Sequence, residues 1–356
     1  MEGIERMRKW MLALIFILFT SLVLAACGGA EDAGSDGAES AEETTESTED
    51  ESATEEEQKT YRIGASQFVE HPSLDRAYEG FQAALADAGL DVEFDLQSAQ
   101  GDQNNVKTIA DNFVADEVDL IFANATPSAI GAAQATTDIP IVFTSVTDAV
   151  GAGLVDSMED PGGNVTGVVD LHPDAIKETV NFIDKYFNGA TVGLIYNAGE
   201  QNSVAQIEAV KEAAEGLSLT FVERTVANSA EVQQAATTIV EDVDVIYIVT
   251  DNTVVSALDS VVGVSNDHQI PLVVGEPDSL AKGGFATYGI DYYTIGYRSG
   301  EMAVEILTGE KAVSDIPVEY PPEIQLFINK EAAELQGVEW NDEWDDIAQF
   351  VETADE

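Results

Sequence analysis

The residues best placed to do chemistry in this sequence come directly after short apolar segments. They are mostly hydroxyls, amides and carboxylates, and cations are few. The candidate ligand-binding residues are Phe68, Glu70, His71, Asn124, Thr126, Ser128, Thr144, Ser145, Tyr196, Asn202, Ser203, Asp251 and Glu276. Groups of these types bind a small polar molecule through hydrogen bonds and paired charges, because each buried charge needs a partner.

Catalytic and metal chemistry is poorly supported. The histidines at 71, 172 and 268 are far apart, with no H-x-x-H or H-E-x-x-H spacing. The sequence contains no G-x-S-x-G elbow and no P-loop. Glu70 and His71 could hold a metal or act in catalysis, but lining a cleft or shaping the turn before Pro72 is the favoured interpretation. We therefore expect no catalytic residue, no metal and no cofactor.

The single cysteine marks a processing site. A basic stretch (Arg6, Arg8, Lys9) precedes the apolar run "WMLALIFILFTSLVLAA", as in secretory signals. The four residues that end at Cys27, "LAAC", resemble the lipobox of bacterial lipoproteins. Residues 1–26 are predicted to be a signal peptide and Cys27 to be lipidated, which leaves no thiol for a disulfide. The alternative is an uncleaved membrane anchor, since about 17 apolar residues lie at the lower limit of a bilayer span.

The segment from 27 to 58 carries the lipidated Cys27 and is otherwise predicted to be a disordered tether. Between Glu31 and Glu57 it has 13 acidic residues and no basic residue. Such a composition buries too little apolar surface to offset chain entropy, and its charges repel one another. A spacer that holds a folded domain off the membrane is the favoured interpretation, and an inert remnant is the alternative.

The folded part is strongly acidic. From residue 59 onward it holds 52 of the 67 acidic and 12 of the 15 basic residues, a formal charge of about −40. That balance argues against nucleic acid and anionic lipid as partners. Salty or alkaline surroundings would screen the repulsion. An ordinary acidic exported protein explains the balance equally well.

The hydrophobic pattern alternates between strands and helices from residue 61 onward. Strand-like segments are "YRIGASQ", "DVEFDLQSA", "VDLIFANA", "IPIVFTSV", "TVGLIYN", "LTFVERTV", "VDVIYIVT" and "IPLVVGE", and helix-like segments separate most of them, including one predicted over 252–266. Such alternation indicates βαβ units and parallel sheets covered on both faces. The pattern restarts after Pro173. The fold class is therefore α/β, with two doubly wound (Rossmann-like) lobes.

Three stretches break the alternation and predict crossings between the lobes. They are 158–173, 286–293 and 318–329, the last with Pro321 and Pro322. The first lobe is assigned residues 59–168 and 292–320, and the second lobe residues 169–291 and 321–356. Three connecting strands make a hinge with a ligand cleft between the lobes.

Several stretches resemble a known family, and the overall resemblance runs from about residue 61 to residue 329. They are "EHPSLDRAYEGF", "ANATPSAIGAAQATTDIPIVFTSVTDAVGAGLV", "PGGNVTGV", "YNAGEQNSVAQ" and "DNTVVSAL". They resemble the solute-binding proteins of ABC importers with the type 1 periplasmic-binding fold, in the tryptophan/tyrosine-type branch. The resemblance implies capture of an amino acid, with an aromatic one favoured, and its delivery to a permease and ATPase complex. Together with the lipobox it predicts a lipid-anchored monomer on the extracytoplasmic face.

Two other functions remain open at this point. A sensor could use the same closure to signal to a membrane kinase or chemoreceptor, and the sequence does not separate it from an importer. A lipid-anchored hydrolase would need a nucleophile–base pair, which we do not find. A DNA-binding repressor is excluded by the export signal and by the missing helix-turn-helix.

An amino acid would divide its charges between the lobes. Its carboxylate suits the hydroxyls and helix N-termini near Thr126, Ser128, Thr144 and Ser145. Its ammonium is assigned to Glu276, which resembles in its position the glutamate that binds the amino group in other type 1 amino-acid receptors, with Asp251 as second choice. Helix capping is the alternative for both carboxylates.

Two further roles complete these expectations. An aromatic ligand would stack on Phe68, or on Tyr196 across the cleft. For Thr126 and Ser203, N-capping is about as well supported as ligand contact.

Overall fold

The protein is described by a computed structural model over residues 59–354. The predicted signal peptide, the lipidation site Cys27 and the acidic tether lie outside these residues. Among residues 59–354, no helix has the length and apolar character needed to cross a membrane.

The first sheet has five parallel strands in the order β2-β1-β3-β4-β5. They are β1 (Thr60–Gln67), β2 (Asp91–Ser98), β3 (Leu120–Asn124), β4 (Ile141–Val146) and β5 (Val165–Val169). Helices α1 (Pro72–Asp87), α2 (Gln103–Ala115) and α3 (Thr126–Ala135) connect the first four strands. Strands β3 and β4 are buried along their whole length, which explains their continuous apolar sequences.

Both faces of this sheet are covered. On one face the ring of Phe81 stacks on Phe122, with centroids 4.0 Å apart. On the other face Phe113 lies so close to Gly64 that a Cβ there would be 2.5 Å from the ring. Central strands buried on two sides keep their carboxyl ends in fixed positions, and these ends carry the candidate site.

The second sheet has seven strands in the order β12-β11-β10-β9-β8-β6-β7. They are β6 (Thr191–Asn197), β7 (Thr220–Val226), β8 (Val245–Ile248), β9 (Leu272–Val274), β10 (Ala286–Gly289), β11 (Gln325–Ile328) and β12 (Ala348–Phe350). Only the β10–β11 pair is antiparallel within the described part of the chain. The remaining helices are α4 (Ala175–Tyr186), α5 (Gln201–Ala213), α6 (Val232–Ile239), α7 (Asn252–Val255), α8 (Leu258–His268), α9 (Asp278–Ala281), α10 (Tyr292–Leu307), α11 (Lys330–Leu335) and α12 (Trp344–Ile347).

The single helix predicted over 252–266 is wrong. The chain forms α7 and α8 there, separated by Ser256 and Ala257. The backbone of Ala257 leaves the helical region at φ −119° and ψ 23°, and the hydroxyl of Ser256 bonds the carbonyl of Thr253. Hydrophobic spacing alone does not register such a break, because the apolar residues keep a helical spacing through it (Val254, Val255, Leu258, Val261 and Val262).

The chain passes between the two sheets at three places. These are the connections from β5 to α4, from β10 to α10, and from Glu319 to β11. Glu319 belongs to the first sheet through a parallel bridge to Val168. Helix α10 packs closely on α1, since a Cβ on Gly296 would lie 1.9 Å from the carbonyl oxygen of Ala77. Two α/β lobes with a hinge of three connections confirm the predicted fold class.

Candidate functional site

A small cavity lies between the lobes, at the carboxyl ends of β4, β5, β8 and β9. Its volume is about 10 Å³, the room that one water molecule needs. Its lining residues are His71, Leu74, Ser145, Thr147, Asp170, Asn202, Thr250, Asn252, Val255, Glu276 and Tyr292. This position, beyond the carboxyl ends of parallel strands, is where open α/β sheets bind ligands.

The first-lobe wall is neutral. His71 precedes α1, and burial lowers its pKa to about 4, so its ring is uncharged at neutral pH. Ser145 has a φ of +58°, in the left-handed region that few residues other than glycine adopt. A strained backbone of this kind is often kept where it aims a group at a ligand.

Four polar atoms of the lining have no hydrogen-bond partner among the described residues. They are His71 Nδ1, Ser145 Oγ, Asn202 Oδ1 and Thr250 Oγ1. A buried polar group without a partner costs about 1–3 kcal/mol. Four such atoms around one cavity therefore indicate a site built for a polar ligand.

Glu276 lines the cavity from the second lobe and is 2 % exposed. Its Oε2 accepts hydrogen bonds from Ser73 Oγ of the first lobe (2.5 Å) and from the backbone N–H of Ser279 (3.1 Å). Its Oε1 accepts from the Ser279 hydroxyl. Burial, followed by repulsion from Asp278, raises the pKa of Glu276 to about 7. The carboxyl thus caps the turn that begins α9 and also joins the two lobes.

Asp170 reaches the cavity from the first crossing, directly after β5. Its carboxyl accepts hydrogen bonds from the hydroxyls of Tyr292 (2.9 Å) and Thr147 (3.3 Å). Burial raises the pKa of Asp170 to about 6, against the effect of these hydrogen bonds. The sequence prediction missed both Asp170 and Tyr292, although Asp170 follows the apolar segment "VTGVV" just as the predicted residues follow theirs.

Asp251 belongs to the frame of the second lobe. It does not line the cavity, because its two oxygens accept from the backbone N–H groups of Val254 (2.8 Å) and Asn197 (2.6 Å). Burial and the charge of Glu200 raise the pKa of Asp251 to about 7. Helix capping, the alternative considered for Asp251, therefore describes its contacts.

Glu200 was not predicted as a site residue, and it organises the same region. It is 1 % exposed. Its carboxyl accepts from the backbone N–H and side chain of Asn252 (3.3 and 2.6 Å) and of Thr253 (3.0 and 2.7 Å). These bonds fix the start of α7, which carries Asn252 to the cavity.

Of the thirteen residues predicted to bind ligand, four line the cavity: His71, Ser145, Asn202 and Glu276. The other nine do not line the cavity: Phe68, Glu70, Asn124, Thr126, Ser128, Thr144, Tyr196, Ser203 and Asp251. The lining residues that the prediction missed are Leu74, Thr147, Asp170, Thr250, Asn252, Val255 and Tyr292. Among these, Thr250 ends the predicted strand "VDVIYIVT" and Asn252 follows it, so both could have been found from that signal.

Several of the nine hold the first lobe together just behind the cavity. The amide nitrogen of Asn124 donates to Gln67 (3.1 Å) and to the carbonyl of Leu74 (2.8 Å). Thr126 Oγ1 accepts from the backbone N–H of Thr147 (3.3 Å). Two others, Ser128 and Thr144, are fully buried, while Glu70 is exposed.

The capping roles considered for two of these residues are wrong. The N-cap positions of α3 and α5 belong to Ala125 and Glu200. Thr126 and Ser203 therefore lie inside the first turns of their helices, and the Ser203 hydroxyl bonds Asp251.

The aromatic residues predicted to stack on a ligand do not reach the cavity. Phe68 is 1 % exposed and packs in the core of the first lobe. Tyr196 lies on a face of the second sheet, where its hydroxyl donates to Glu223 (2.9 Å). Tyr196 lies within β6, where successive side chains point to the two faces of the sheet, and Phe68, directly after β1, turns into the core instead of the cleft.

Solved structures share this fold over most of the chain. A domain in complex with L-Trp from Streptococcus pneumonia is 34% identical, with a TM-score of 0.78, over 82% of this chain and 100% of that one. A conserved domain protein from Vibrio cholerae is 37% identical, with a TM-score of 0.79, over 82% and 99%. The ligand-free, open structure of a substrate-binding protein with adhesive properties from Clostridium difficile is 37% identical, with a TM-score of 0.61, over 83% and 100%.

The open structure matches the overall geometry of this chain less well than the L-Trp complex does. Its sequence is more similar to this chain than that of the L-Trp complex, yet its TM-score is lower.

The sequence comparisons agree with this similarity. A curated relative, the tyrosine-binding protein of Clostridioides difficile (strain R20291), is 43% identical over 286 residues, which cover 79% of this chain and 82% of the relative. The profile of the family described as ABC transporter substrate binding protein matches residues 62–351. The resemblance inferred from the sequence is confirmed, and the chain belongs to the ABC transporter substrate-binding protein family.

Proposed function

We propose that this protein captures an aromatic amino acid, tyrosine or tryptophan, and passes it to an ABC importer. The ligands of two relatives, tyrosine in one and L-Trp in the other, support the ligand class. The observation that carries the proposal is the cavity itself, which combines four unpartnered polar atoms with two carboxyls. An amino acid supplies both charges that such a lining can pair.

The carboxylate of the ligand fits the hydroxyl and amide side of the cavity. Ser145 and Thr250 offer hydroxyls without partners, and the side chain of Asn202 lies beside them at the first turn of α5. The N-terminus of this 13-residue helix adds free N–H groups and the positive end of its dipole. A carboxylate can be held there without an arginine.

The ammonium of the ligand fits the acidic side. Glu276, our choice from the sequence, and Asp170 both line the cavity there. The lining contains no lysine and no arginine within the described residues. When its carboxyls are ionised, the positive charge that pairs with them must therefore come from the ligand.

The side chain of the ligand fits against Leu74 of the first lobe and Val255 of the second, the aliphatic members of the lining. These two residues replace the stacking partners expected from the sequence. An aromatic ring buries a large apolar area and gains from such contacts without a ring partner.

Capture requires the lobes to move. The cavity of about 10 Å³ is far smaller than an amino acid, so the lobes must part about the three crossings for a ligand to enter. Contacts that would reform on closure include Ser73 with Glu276 and Gln206 Nε2 with Thr147 Oγ1 (3.3 Å).

The importer role includes export and anchoring. We propose that the protein is lipidated at Cys27, stands on the extracytoplasmic face of the membrane, and delivers its ligand to a permease and ATPase complex as a monomer. The Cys27→Ala variant should then be released or left unprocessed, and membrane retention of a normally processed variant would contradict the anchor.

A thermal-shift screen of the folded chain tests the ligand class. L-tyrosine or L-tryptophan at a hundredfold excess over Kd should stabilise the protein by about 2.7 kcal/mol. Other amino acids, sugars, nucleosides and purines serve as comparison ligands. A response to sugars or nucleosides alone would reject the amino-acid proposal and leave the fold assignment intact.

A further inference from the structure

We propose that Asp170, positioned by Tyr292, is the residue that pairs with the ammonium group of the ligand, so that the amine is recognised at the hinge. This inference rests on the proposed capture of an amino acid. It differs from the assignment to Glu276 that the sequence favours.

The position of Asp170 joins ligand and hinge. Asp170 lies on the first crossing, directly after β5, and Tyr292 is the first residue of α10, directly after the second crossing. The hydrogen bond of 2.9 Å between them links two of the three connections around which the lobes turn. Both residues line the cavity. A ligand bound to Asp170 therefore contacts the hinge itself.

The carboxyl of Asp170 has only neutral partners. Its hydrogen bonds come from the hydroxyls of Tyr292 and Thr147. No lysine or arginine lines the cavity within residues 59–354, and burial keeps His71 neutral at pH 7 because its pKa is about 4. A largely buried carboxylate without a cation is costly, and an incoming ammonium would remove that cost.

Glu276 is better satisfied within the protein than Asp170. It accepts three hydrogen bonds, one from Ser73 across the cleft and two from Ser279. One of those donors is a backbone N–H, so the carboxyl is committed to the first turn of α9. An ammonium at Glu276 would have to share its oxygens with these donors, whereas Asp170 accepts only two bonds from side-chain hydroxyls.

The partners of Asp170 extend the contact to the second lobe. Thr147 donates to Asp170 and accepts from Gln206 of α5. An amine bound to Asp170 therefore joins a chain of hydrogen bonds. This chain runs from Asp170 at the hinge through Thr147 of the first lobe to Gln206 of the second lobe. Binding of the amine favours the arrangement in which this chain is complete.

Three titratable groups share the cavity with Asp170. Glu276 carries a raised pKa of about 7, His71 is neutral at pH 7, and the pKa of Tyr292 lies well above its usual value because of burial and the neighbouring carboxyls. Of these, Glu276 alone titrates near the range of Asp170. The test must therefore separate the two carboxyls by substitution.

The test compares L-tyrosine with its deaminated analogue, hydroxyphenylpropanoate, by calorimetric titration. The wild type should prefer L-tyrosine by about 30-fold or more, the preference expected of a buried charge pair. Asp170→Asn, which keeps the size and removes the charge, should reduce that preference to about threefold or less. Glu276→Gln tests the competing assignment, because loss of the preference in that variant instead of Asp170→Asn would place the amine at Glu276.

The position of Tyr292 gives a second readout. Its hydroxyl stabilises the ionised form of Asp170, so Tyr292→Phe should raise the pKa of Asp170 further. The pH at which L-tyrosine binding falls off should then move upward in this variant. A variant that only loosened the structure would weaken binding at all pH values, and this arm remains informative if Asp170→Asn does not fold.

The outcomes separate the two proposals. If Asp170→Asn keeps the preference for L-tyrosine, or Glu276→Gln loses it instead, Asp170 does not pair with the amine and the proposed function survives. An unchanged pH profile in Tyr292→Phe contradicts the positioning role. Failure of the wild type to bind any aromatic amino acid would reject the proposed function, and the inference about Asp170 with it.

Discussion

On the second-lobe side of the cleft, Glu200 and Asp251 are buried carboxyls bound by the backbone around them, whereas on the first-lobe side the Ser145 hydroxyl is buried without a partner. The second lobe uses these two carboxyls to hold the backbone that presents Asn252. The first lobe leaves Ser145 free to meet a ligand. Burial and polarity alone therefore do not identify a ligand contact, and the number of bonds already made separates the two roles.

The prediction with the largest expected effect concerns Glu200, one of the two buried carboxyls of the second lobe. Glu200→Gln replaces an accepting oxygen with a donor that faces donors, so the free energy of unfolding should fall by about 3 kcal/mol. Urea unfolding without ligand measures this. Glu212→Gln is the control. Glu212 is exposed on α5, the helix that Glu200 precedes, and its substitution should change the free energy of unfolding by less than about 0.5 kcal/mol. A loss below about 1 kcal/mol at Glu200 would show that the frame does not depend on this carboxyl.

A second test uses pH, because the buried carboxyls of this region titrate and its hydroxyls do not. Asp251 and Glu276 have pKa values raised to about 7, and Asp170 to about 6. A folded-state pKa above the unfolded value means that the folded protein holds more protons in this window. Stability should therefore decrease as pH rises from about 5 to 7.5, and the lowered pKa of His71, which acts in the opposite direction, offsets only part of this decrease.

Two substitutions, one at a titrating carboxyl and one at a hydroxyl, provide the control for this pH dependence. In a series at constant high salt, which screens the surface charges, Glu276→Gln should flatten the decrease while Ser145→Gly should leave its slope unchanged. A stability that rises with pH across this window would contradict the raised pKa values.

The smallest expected effect comes from the first-lobe wall. Ser145→Gly relieves a positive φ and should raise the free energy of unfolding by up to about 1 kcal/mol, while loss of the hydroxyl weakens L-tyrosine binding several-fold. Gln269→Gly is the matched control, because Gln269 has a φ of +54° at the end of α8, away from the cavity. It should stabilise equally and leave affinity unchanged. Equal affinities for L-tyrosine in the wild type and both variants would show that Ser145 does not contact the ligand.

Much of the fold could be predicted from the sequence, because local pattern and burial act together in each element. The apolar runs of β3 and β4 are continuous since both faces of their sheet are covered. The break between α7 and α8 escaped prediction because it depends on one backbone conformation at Ala257. The site was predictable to the extent that residues follow strands, as His71, Asn202 and Glu276 do.

What the sequence determines by itself is the order of strands and helices and the types of side chain at their ends, because these follow from periodicity and local chemistry. The tertiary structure decided which of those side chains meet. Asp170 and Tyr292 are 122 positions apart and come together only because two crossings of the hinge lie side by side. Tyr196 is aromatic and close in sequence to the cleft, yet the pleat turns it onto a face of the sheet. Contact between such distant groups depends on the packing of whole lobes, and no local pattern contains that information.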